Sequence, residues 1–456
     1  MVKTCDVLVV GGGPAGVISA YTAATMGKKV ILADAKAMDD IGKKTCGDAL
    51  DKKAPKLLEE KLGLKFPNGD EVSDEVEKLV VTTKNCSIDV FGDGFVVDRE
   101  IYGKRLLQEA KDVGVEILAD MRATKALLKD DWVIGAEFTN LKTKQKEEIH
   151  ASVTIDCSGR NFVLRRSLPP EKFPLLEITK RLNPDHGVSS YREIVKLKEN
   201  HNYHNTIHLN FKANVPEPGY YWIFSKGDYK LNLGIGWRLS LENPPDMKKL
   251  FKEITNEYFP EGSYEVLDAG GYTIPTRYPL FNAVANGFMT AGDAAFQVNP
   301  FDAEGHGPSL RAGYYAGKTA SEALDKGKPN EATLWQYNID FINDFGIYHC
   351  KTQLLADILV VLGMEGMDFL FKRKVFTTQD FSAMNSGKGI PKKTLFAKIF
   401  RAIPRVGYLR KFSIMAKAAK QLDEEFKTYP DSPDKYEEWI KKFLPWFEGV
   451  SARIMK

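Results

Sequence analysis

The sequence predicts an α/β (α+β) fold with a βαβ unit at its start, an inserted antiparallel sheet and a helical C-terminal region. DVLVV (6–10) is rich in β-forming residues, a helical pattern follows it, and KKVILAD predicts a second strand that ends at Asp34. Alternating segments near 75–98 and 186–272 indicate antiparallel strands. After about residue 330 the apolar spacing becomes mostly helical.

These patterns predict three parts of the chain. Residues 1–165 together with 273–330 form a discontinuous first domain, which includes part of the sheet insertion near 75–98. Residues 166–272 form an antiparallel-sheet domain that we expect to receive the substrate, and 331–456 form the helical region.

Composition excludes several classes of function. The net charge of +3 over 456 residues is too small to indicate a nucleic-acid partner. Five widely spaced cysteines without a CxxC pair, and histidines without ligand spacing, predict neither disulfides nor a metal site. Without a signal-peptide pattern or a run of about 18 uncharged apolar residues, we expect a cytoplasmic location.

A glycine motif lies between the first strand and its helix. Gly11 allows a tight turn, Gly13 admits a pyrophosphate against the backbone, and Gly16 lets helix and strand pack closely. Asp34 ends the second strand, where its carboxylate accepts hydrogen bonds from a ribose. We therefore predict that these residues, with Ala15, bind a dinucleotide.

Three later segments indicate which dinucleotide. VVDREIYGKRLLQEA (96–110), DCSGR (156–160) and GDAAFQVNPFDAEGHGPSLRAG (292–313) resemble, in order and spacing, flavin motifs of the para-hydroxybenzoate hydroxylase-like flavoproteins. The resemblance implies FAD and a Rossmann-like FAD-binding domain.

The resemblance also implies individual roles. Arg99 lies along the FAD, the backbone of Ala123 meets the adenine edge, and Asp293 bonds the ribityl chain. Gly305 and His306 bring a helix N-terminus to the flavin pyrimidine ring, where it stabilises negative charge on the reduced flavin.

A narrower resemblance comes from KTCGDAL (44–50) and EPGYYWIFSKG (217–227). Both segments are similar to segments of the geranylgeranyl reductase branch of these flavoproteins. The resemblance as a whole covers roughly residues 1–330. The branch saturates polyprenyl double bonds, which implies geranylgeranyl chains on archaeal-type glycerophospholipids as the isoprenoid lipid substrate. Tyr220, Trp222 and Phe224 match a family element near the isoprenoid, although Ser225 replaces its proline.

The alternation of these three aromatic residues puts them on one face of a strand. An ordinary core face and an isoprenoid-binding wall both explain such a face. Residues alone leave the two interpretations open.

Cys46 is the candidate for chemistry. The resemblance places Cys46, Gly47 and Ala49 against the flavin. Saturating an isolated alkene requires a proton in addition to the hydride. The candidate proton donors are Cys46, Tyr220 and water. Alternatively, Cys46 is only a small residue that fits a flat ring. We expect Lys43 and Lys44 to lower the pKa of its thiol.

Other functions fit the same motifs. They are a reductase of free geranylgeranyl diphosphate or of a chlorophyll or quinone prenyl chain, a monooxygenase or halogenase, and a non-catalytic prenyl-binding carrier. The electron donor stays open between NADPH, ferredoxin and a chemical reductant, because no second glycine motif for a nicotinamide follows.

A basic segment precedes the C-terminus. Residues 382–422 contain ten Lys or Arg and no acidic residue, and PKKTLFAKIFRAIPRVGYLRK (391–411) carries apolar residues at helical spacing. Such a helix packs on its own protein or makes peripheral contact with an anionic membrane.

Overall fold

The computed structural model describes residues 2–212, 214–380, 398, 401–402 and 405–456. In chain order, its strands are β1 (Lys3–Val10), β2 (Val30–Ala33), β3 (Ala49–Asp51), β4 (Val72–Thr82), β5 (Ser87–Val97), β6 (Glu116–Leu118), β7 (Met121–Lys129), β8 (Trp132–Asn140), β9 (Lys146–Asp156), β10 (Gly187–Leu197), β11 (Thr206–Asn210), β12 (Gly219–Ser225), β13 (Lys230–Arg238), β14 (Tyr264–Pro275), β15 (Val284–Ala285) and β16 (Phe288–Thr290).

The helices are α1 (Pro14–Thr25), α2 (Lys53–Leu62), α3 (Arg99–Asp112), α4 (Met247–Tyr258), α5 (His306–Asp325), α6 (Glu331–Leu334), α7 (Gln336–Phe341), α8 (Ile347–Lys372), α9 (Val406–Lys427) and α10 (Tyr436–Met455). A π-helical turn, Ile342–Gly346, joins α7 to α8.

The first sheet has a parallel centre. Its strand order is β15-β16-β9-β1-β2-β6, with β16, β9, β1, β2 and β6 parallel, and β7 and β8 extend it as an antiparallel pair beside β9. Val7 to Val10 of β1 are all buried, as expected for a central parallel strand covered on both faces. This arrangement brings the ends of β1, β2 and β9 to one edge of the sheet.

The second sheet is almost entirely antiparallel. Its order is β14-β10-β13-β12-β11-β4-β5-β3, and only β11 and β4 run parallel among its described pairs. On β12, Tyr221 and Ile223 pack into a core that includes Phe251 of α4. Trp222 and Phe224 face the opposite side, toward β4 and β5.

Small residues allow helices α1 and α5 to approach closely. A Cβ on Gly313 would lie 2.5 Å from the carbonyl oxygen of Ala15, and one on Gly317 would lie 2.4 Å from that of Ser19. Helices α1 and α5 therefore pack backbone to backbone beside the first sheet. Together with the helices after residue 330, these elements confirm the predicted fold class.

Most of the predicted basic helix at 391–411 lies outside the described residues. Lys398 is described, and its ammonium is buried and donates to Asp380 and to the Val375 carbonyl. At this position the side chain packs on the protein itself.

Candidate cofactor and active site

The glycine turn after β1 is built by close backbone contacts. Gly11 has φ +107°, and a Cβ there would lie 2.3 Å from the carbonyl oxygen of Cys157. A Cβ on Gly16 would lie 1.8 Å from the carbonyl oxygen of Gly11. Gly13 differs, because its missing Cβ points into space that is open to 4 Å. Gly11 and Gly16 are thus required by the fold, whereas Gly13 leaves room for a ligand at the N-terminus of α1.

Asp34 directly follows β2 and lies beside this turn. Its Oδ2 accepts the Gly12 N–H at 2.6 Å, and its Oδ1 accepts the Lys36 N–H at 2.7 Å. The Asp34 carbonyl accepts the N–H of Met121 at 2.7 Å, which brings β7 and Ala123 alongside. The carboxylate keeps free lone pairs for ribose hydroxyls.

A cavity adjoins the glycine turn. Arg99, the first residue of α3, is buried there beside His306 of α5. Gly42 and Gly103 also line the cavity, and their backbones are in close contact, because a Cβ on Gly103 would lie 2.4 Å from the Gly42 carbonyl oxygen. The lining residues are Gly12, Gly13, Pro14, Val17, Gly42, Arg99, Tyr102, Gly103, Leu106 and His306.

Several cations converge on this region. Burial lowers the pKa of Lys36, and repulsion by Lys44 and Arg99 lowers it further, whereas Asp34 opposes the shift. Such a cluster is suited to an anionic ligand such as a pyrophosphate.

Asp293 lies on the turn Gly292–Ala295 that follows β16. Its Oδ2 accepts from Lys44 Nζ at 2.8 Å and from the hydroxyl of Tyr272 at 3.1 Å. No local sequence pattern pointed to Tyr272, because β14 of the second sheet brings it to the site from a distant part of the chain. A Cβ on Gly305 would lie 3.6 Å from Asp293 Oδ1, so the predicted ribityl-binding and pyrimidine-binding residues are neighbours.

His306 begins α5 as a neutral imidazole. Burial lowers its pKa well below the usual value, and Arg99 and Lys44 add to this, while a hydrogen bond with the Ala49 backbone opposes it. Its Nδ1 is buried and lacks a hydrogen-bond partner among the described residues. A buried nitrogen without a partner is costly unless a ligand satisfies it.

These observations fit FAD. Gly13 leaves space for the pyrophosphate, the cations neutralise it, Asp34 offers acceptors to the ribose, and His306 offers a free ring nitrogen. When bound and reduced, FAD supplies a hydride from N5.

For Cys46, the expected effect of its neighbouring lysines was wrong. Lys43 pairs with Asp40 and Glu100, and Lys44 pairs with Asp293, so neither ammonium stabilises the thiolate. Burial raises the pKa of Cys46 to about 11, and Asp48 adds to this although Arg99 opposes it. The thiol therefore stays protonated at neutral pH.

The three aromatic residues of β12 share one face, as predicted. Ring centroids of Tyr220 and Trp222 are 6.2 Å apart, as are those of Trp222 and Phe224. A Cβ on Gly47 would lie 2.6 Å from Phe224 Cε2, so the Cys46 loop contacts this aromatic face directly. The Tyr220 hydroxyl donates to the Asp302 carbonyl at 3.4 Å.

In the described part of the chain, no group of three or more His, Cys, Asp or Glu is arranged to bind a metal ion. None of the described helices combines the length and apolar character needed to cross a membrane.

Comparisons with known proteins agree with this geometry. The fold and the glycine-turn site define an FAD-dependent oxidoreductase, and residues 6–167 match the family described as FAD dependent oxidoreductase. Residues 188–273, which include the aromatic face, match the geranylgeranyl reductase catalytic domain.

Relatives extend the match along the chain. It is 31% identical over 443 residues to digeranylgeranylglycerophospholipid reductase from Sulfolobus acidocaldarius, covering 96% of both chains. It is 29% identical over 352 residues to digeranylgeranylglycerophospholipid reductase 2 from Methanopyrus kandleri, covering 75% of this chain and 83% of that one. The chain belongs to the geranylgeranyl reductase family, and the predictions of family and FAD are confirmed.

Solved structures show the same fold. A geranylgeranyl bacteriochlorophyll reductase-like protein from Thermoplasma acidophilum has a TM-score of 0.74 at 19% identity, covering 92% of this chain and 100% of that one. A flavin-dependent brominase has a TM-score of 0.64 at 16% identity, covering 90% and 100%.

Proposed function

We propose that this enzyme saturates the isolated double bonds of geranylgeranyl chains carried on glycerophospholipids, as a step in membrane lipid synthesis. The names of its relatives support this substrate. The observation that carries the proposal is the contact between the Cys46 loop and the aromatic face of β12, where Gly47 meets the ring of Phe224. An apolar wall for an isoprenoid and a protonated thiol therefore lie side by side.

Residues on this wall suit the chemistry. Saturation needs a hydride on one alkene carbon and a proton on the other, and positive charge develops on the more substituted carbon. The π faces of Tyr220, Trp222 and Phe224 stabilise such a charge. Arg99, Asp34, Asp293 and the N-termini of α1 and α5 would hold FAD, which would supply the hydride.

Cys46 is our proposed proton donor. Its S–H bond breaks as the new C–H bond forms, and the resulting thiolate regains a proton from water. Burial raises the pKa of Tyr220 far above its usual value, and the Asp302 carboxylate adds to this. Since burial makes the Tyr220 hydroxyl a weaker acid than the Cys46 thiol, we assign Tyr220 to substrate contact rather than to proton transfer.

We further propose a cytoplasmic enzyme that meets its lipid substrate at an anionic membrane surface. The basic segment at 382–422 supports this idea by its composition. Co-sedimentation with anionic vesicles at low salt that is lost at high salt is the expected result. Absence of co-sedimentation at low salt would remove the membrane proposal.

Two comparisons test the proposed function. Reduced protein is incubated anaerobically with a digeranylgeranyl glycerophospholipid or with free geranylgeranyl diphosphate, and the products are weighed by mass spectrometry. We expect successive gains of two hydrogen atoms and a higher kcat/KM for the phospholipid. A preference for the diphosphate would reassign the substrate, and Cys46→Ala with full activity and unchanged flavin binding would reject the proton donor.

A further inference from the structure

Asp48 is in hydrogen-bond contact with the Cys46 thiol. The Sγ donates to Asp48 Oδ1 at 3.2 Å, and the Asp48 N–H approaches the same sulfur at 3.2 Å. Asp48 has φ +71°, a left-handed conformation that Asp tolerates better than most residues, and it is only 3% exposed. The backbone turn therefore folds its carboxylate back onto the thiol two residues earlier.

The other oxygen of this carboxylate is bound from the second sheet. Lys226 Nζ donates to Asp48 Oδ2 at 2.9 Å and to the Val97 carbonyl at 3.0 Å. Asn232 Nδ2 donates to the same Oδ2 at 3.0 Å and to the Cys46 carbonyl at 2.8 Å. The Asn232 Oδ1 accepts from Trp222 Nε1 at 3.0 Å, which ties the network to the aromatic face.

A purely mechanical anchor would not need these charges. Both side chains of the Asp48–Lys226 pair are less than a tenth exposed, and desolvating a buried ion pair costs about as much as the attraction returns. Apolar residues of similar size hold a loop to a sheet as well. A buried charge pair whose free oxygen accepts from a thiol at a reaction site points to a role in the chemistry.

We propose that Asp48 and Lys226 are positioning residues for Cys46. The Asp48 carboxylate holds the Cys46 side chain through this hydrogen bond and favours thiol over thiolate, and Lys226 holds this carboxylate in place. The inference rests on the proposed function, in which Cys46 delivers the proton. After delivery, repulsion between the thiolate and the Asp48 carboxylate favours uptake of a proton from water.

Other charges near the thiol do not supply this effect. The positive charge of Arg99, on α3, favours the thiolate. Lys43 and Lys44 are paired elsewhere. Because Arg99 is unchanged in the Asp48 and Lys226 variants, a shift of the Cys46 pKa in them is attributable to Asp48 or Lys226.

The test follows the ionisation of Cys46 directly in the FAD-loaded enzyme. Alkylation of Cys46 by iodoacetamide is measured against pH by mass spectrometry of its peptide, in Asp48→Asn, Lys226→Met and Lys226→Arg. We expect the midpoint to fall by about one pH unit in Asp48→Asn, because the carboxylate charge is removed, and to rise in Lys226→Met, because the unpaired carboxylate repels the thiolate more strongly. Lys226→Arg should restore the original midpoint.

The matched control is Lys78→Met, which breaks a lysine–aspartate pair on the same sheet, with Nζ 2.7 Å from Asp89 Oδ2. It should leave the midpoint unchanged. The alkaline limb of the pH profile of kcat should move with the alkylation midpoint in Asp48→Asn. If Asp48 had only a structural role, Asp48→Asn would lower kcat at every pH but would move neither the alkylation midpoint nor the alkaline limb of the profile.

Unchanged midpoints in both Asp48→Asn and Lys226→Met would overturn the inference, and either variant alone decides it if the other does not fold. Alkylation needs no lipid substrate. A shifted midpoint in an enzyme that reduces no lipid would therefore reject the proposed function while still supporting the hold of Asp48 on the thiol.

Discussion

Phe224 occupies the space that a side chain on Gly47 would need. A Cβ built on Gly47 would lie 2.6 Å from Cε2 of the Phe224 ring and 3.3 Å from Cδ2. These residues come from a loop and from β12 of the second sheet. Their contact fixes how the Cys46 thiol sits relative to the aromatic face, so it sets the geometry on which the proposed reaction depends.

Gly47→Ala should weaken turnover by displacing Phe224. Overpacking of this kind costs about 1–3 kcal/mol. If this cost falls on the geometry of the reaction, kcat/KM should fall about 10-fold or more. Adding Phe224→Leu to the Gly47→Ala protein should recover part of the lost kcat/KM. Kinetics of the four proteins in this double-mutant cycle provide the measurement.

Gly92→Ala is the matched control. Gly92 lies on β5 of the same sheet, and a Cβ there has no neighbour within 4 Å. Its activity should stay close to that of the unsubstituted protein. Equal losses in Gly47→Ala and Gly92→Ala would show that the contact with Phe224 is not the cause.

Gly13 and Gly16 should separate binding from folding. Gly13 has φ −77°, which alanine adopts freely, and its missing Cβ meets open space. Gly13→Ala should keep the stability of the flavin-free protein within about 0.5 kcal/mol. Its FAD affinity should fall at least about 10-fold, because the methyl group enters the space left for the pyrophosphate.

Gly16→Ala should instead destabilise the flavin-free protein by about 1–3 kcal/mol or more, since the clash is with a backbone oxygen that cannot rotate away. Urea unfolding of the flavin-free proteins and fluorescence titration with FAD measure the two effects. Gly13→Ala protein that binds FAD at full affinity would contradict the assignment of the pyrophosphate site.

Glu304 should make stability depend on pH. Burial raises its pKa from 4.5 to about 8, and the neighbouring charges of Asp51 and Asp302 add to this although Arg311 opposes it. A carboxyl group with a raised folded-state pKa contributes stability that is full below pH 4.5 and is lost as the pH rises through about 8. We expect Glu304→Gln to flatten this fall.

Urea unfolding of the flavin-free protein from pH 4.5 to 8 checks the prediction. Burial raises the pKa of Asp302 to about 6, so in Glu304→Gln the free energy of unfolding should still fall with pH in the lower half of this range. The exposed Glu59 on α2 provides the control substitution, Glu59→Gln. An identical slope in Glu304→Gln and in the unsubstituted protein would be the contrary result.

Local patterns in the sequence were sufficient for much of the site. The glycine turn, Asp34 and the alternating aromatics of β12 depend on neighbours within one βαβ unit or one strand, so spacing alone reveals them. The family resemblance supplied Arg99, Asp293 and His306, which the structure brings to the same region as the glycine turn.

Contacts between distant segments were beyond such patterns. Lys226 is 178 residues from Asp48, and Lys44 is 249 residues from Asp293. The sequence shows Lys43 and Lys44 beside Cys46, and proximity along the chain predicted a lowered thiol pKa. The fold buries the sulfur, sends both ammonium groups elsewhere and puts a carboxylate against the thiol, so the thiol pKa is raised instead of lowered.

The central claim is that reducing equivalents held on the flavin saturate an isolated double bond of the lipid. Enzyme with FAD is reduced by dithionite, freed of excess reductant and mixed anaerobically with digeranylgeranyl glycerophospholipid, while flavin absorbance and lipid mass are recorded together. We predict one double bond saturated for each flavin reoxidised. A flavin that stays reduced beside a lipid of unchanged mass would contradict the account.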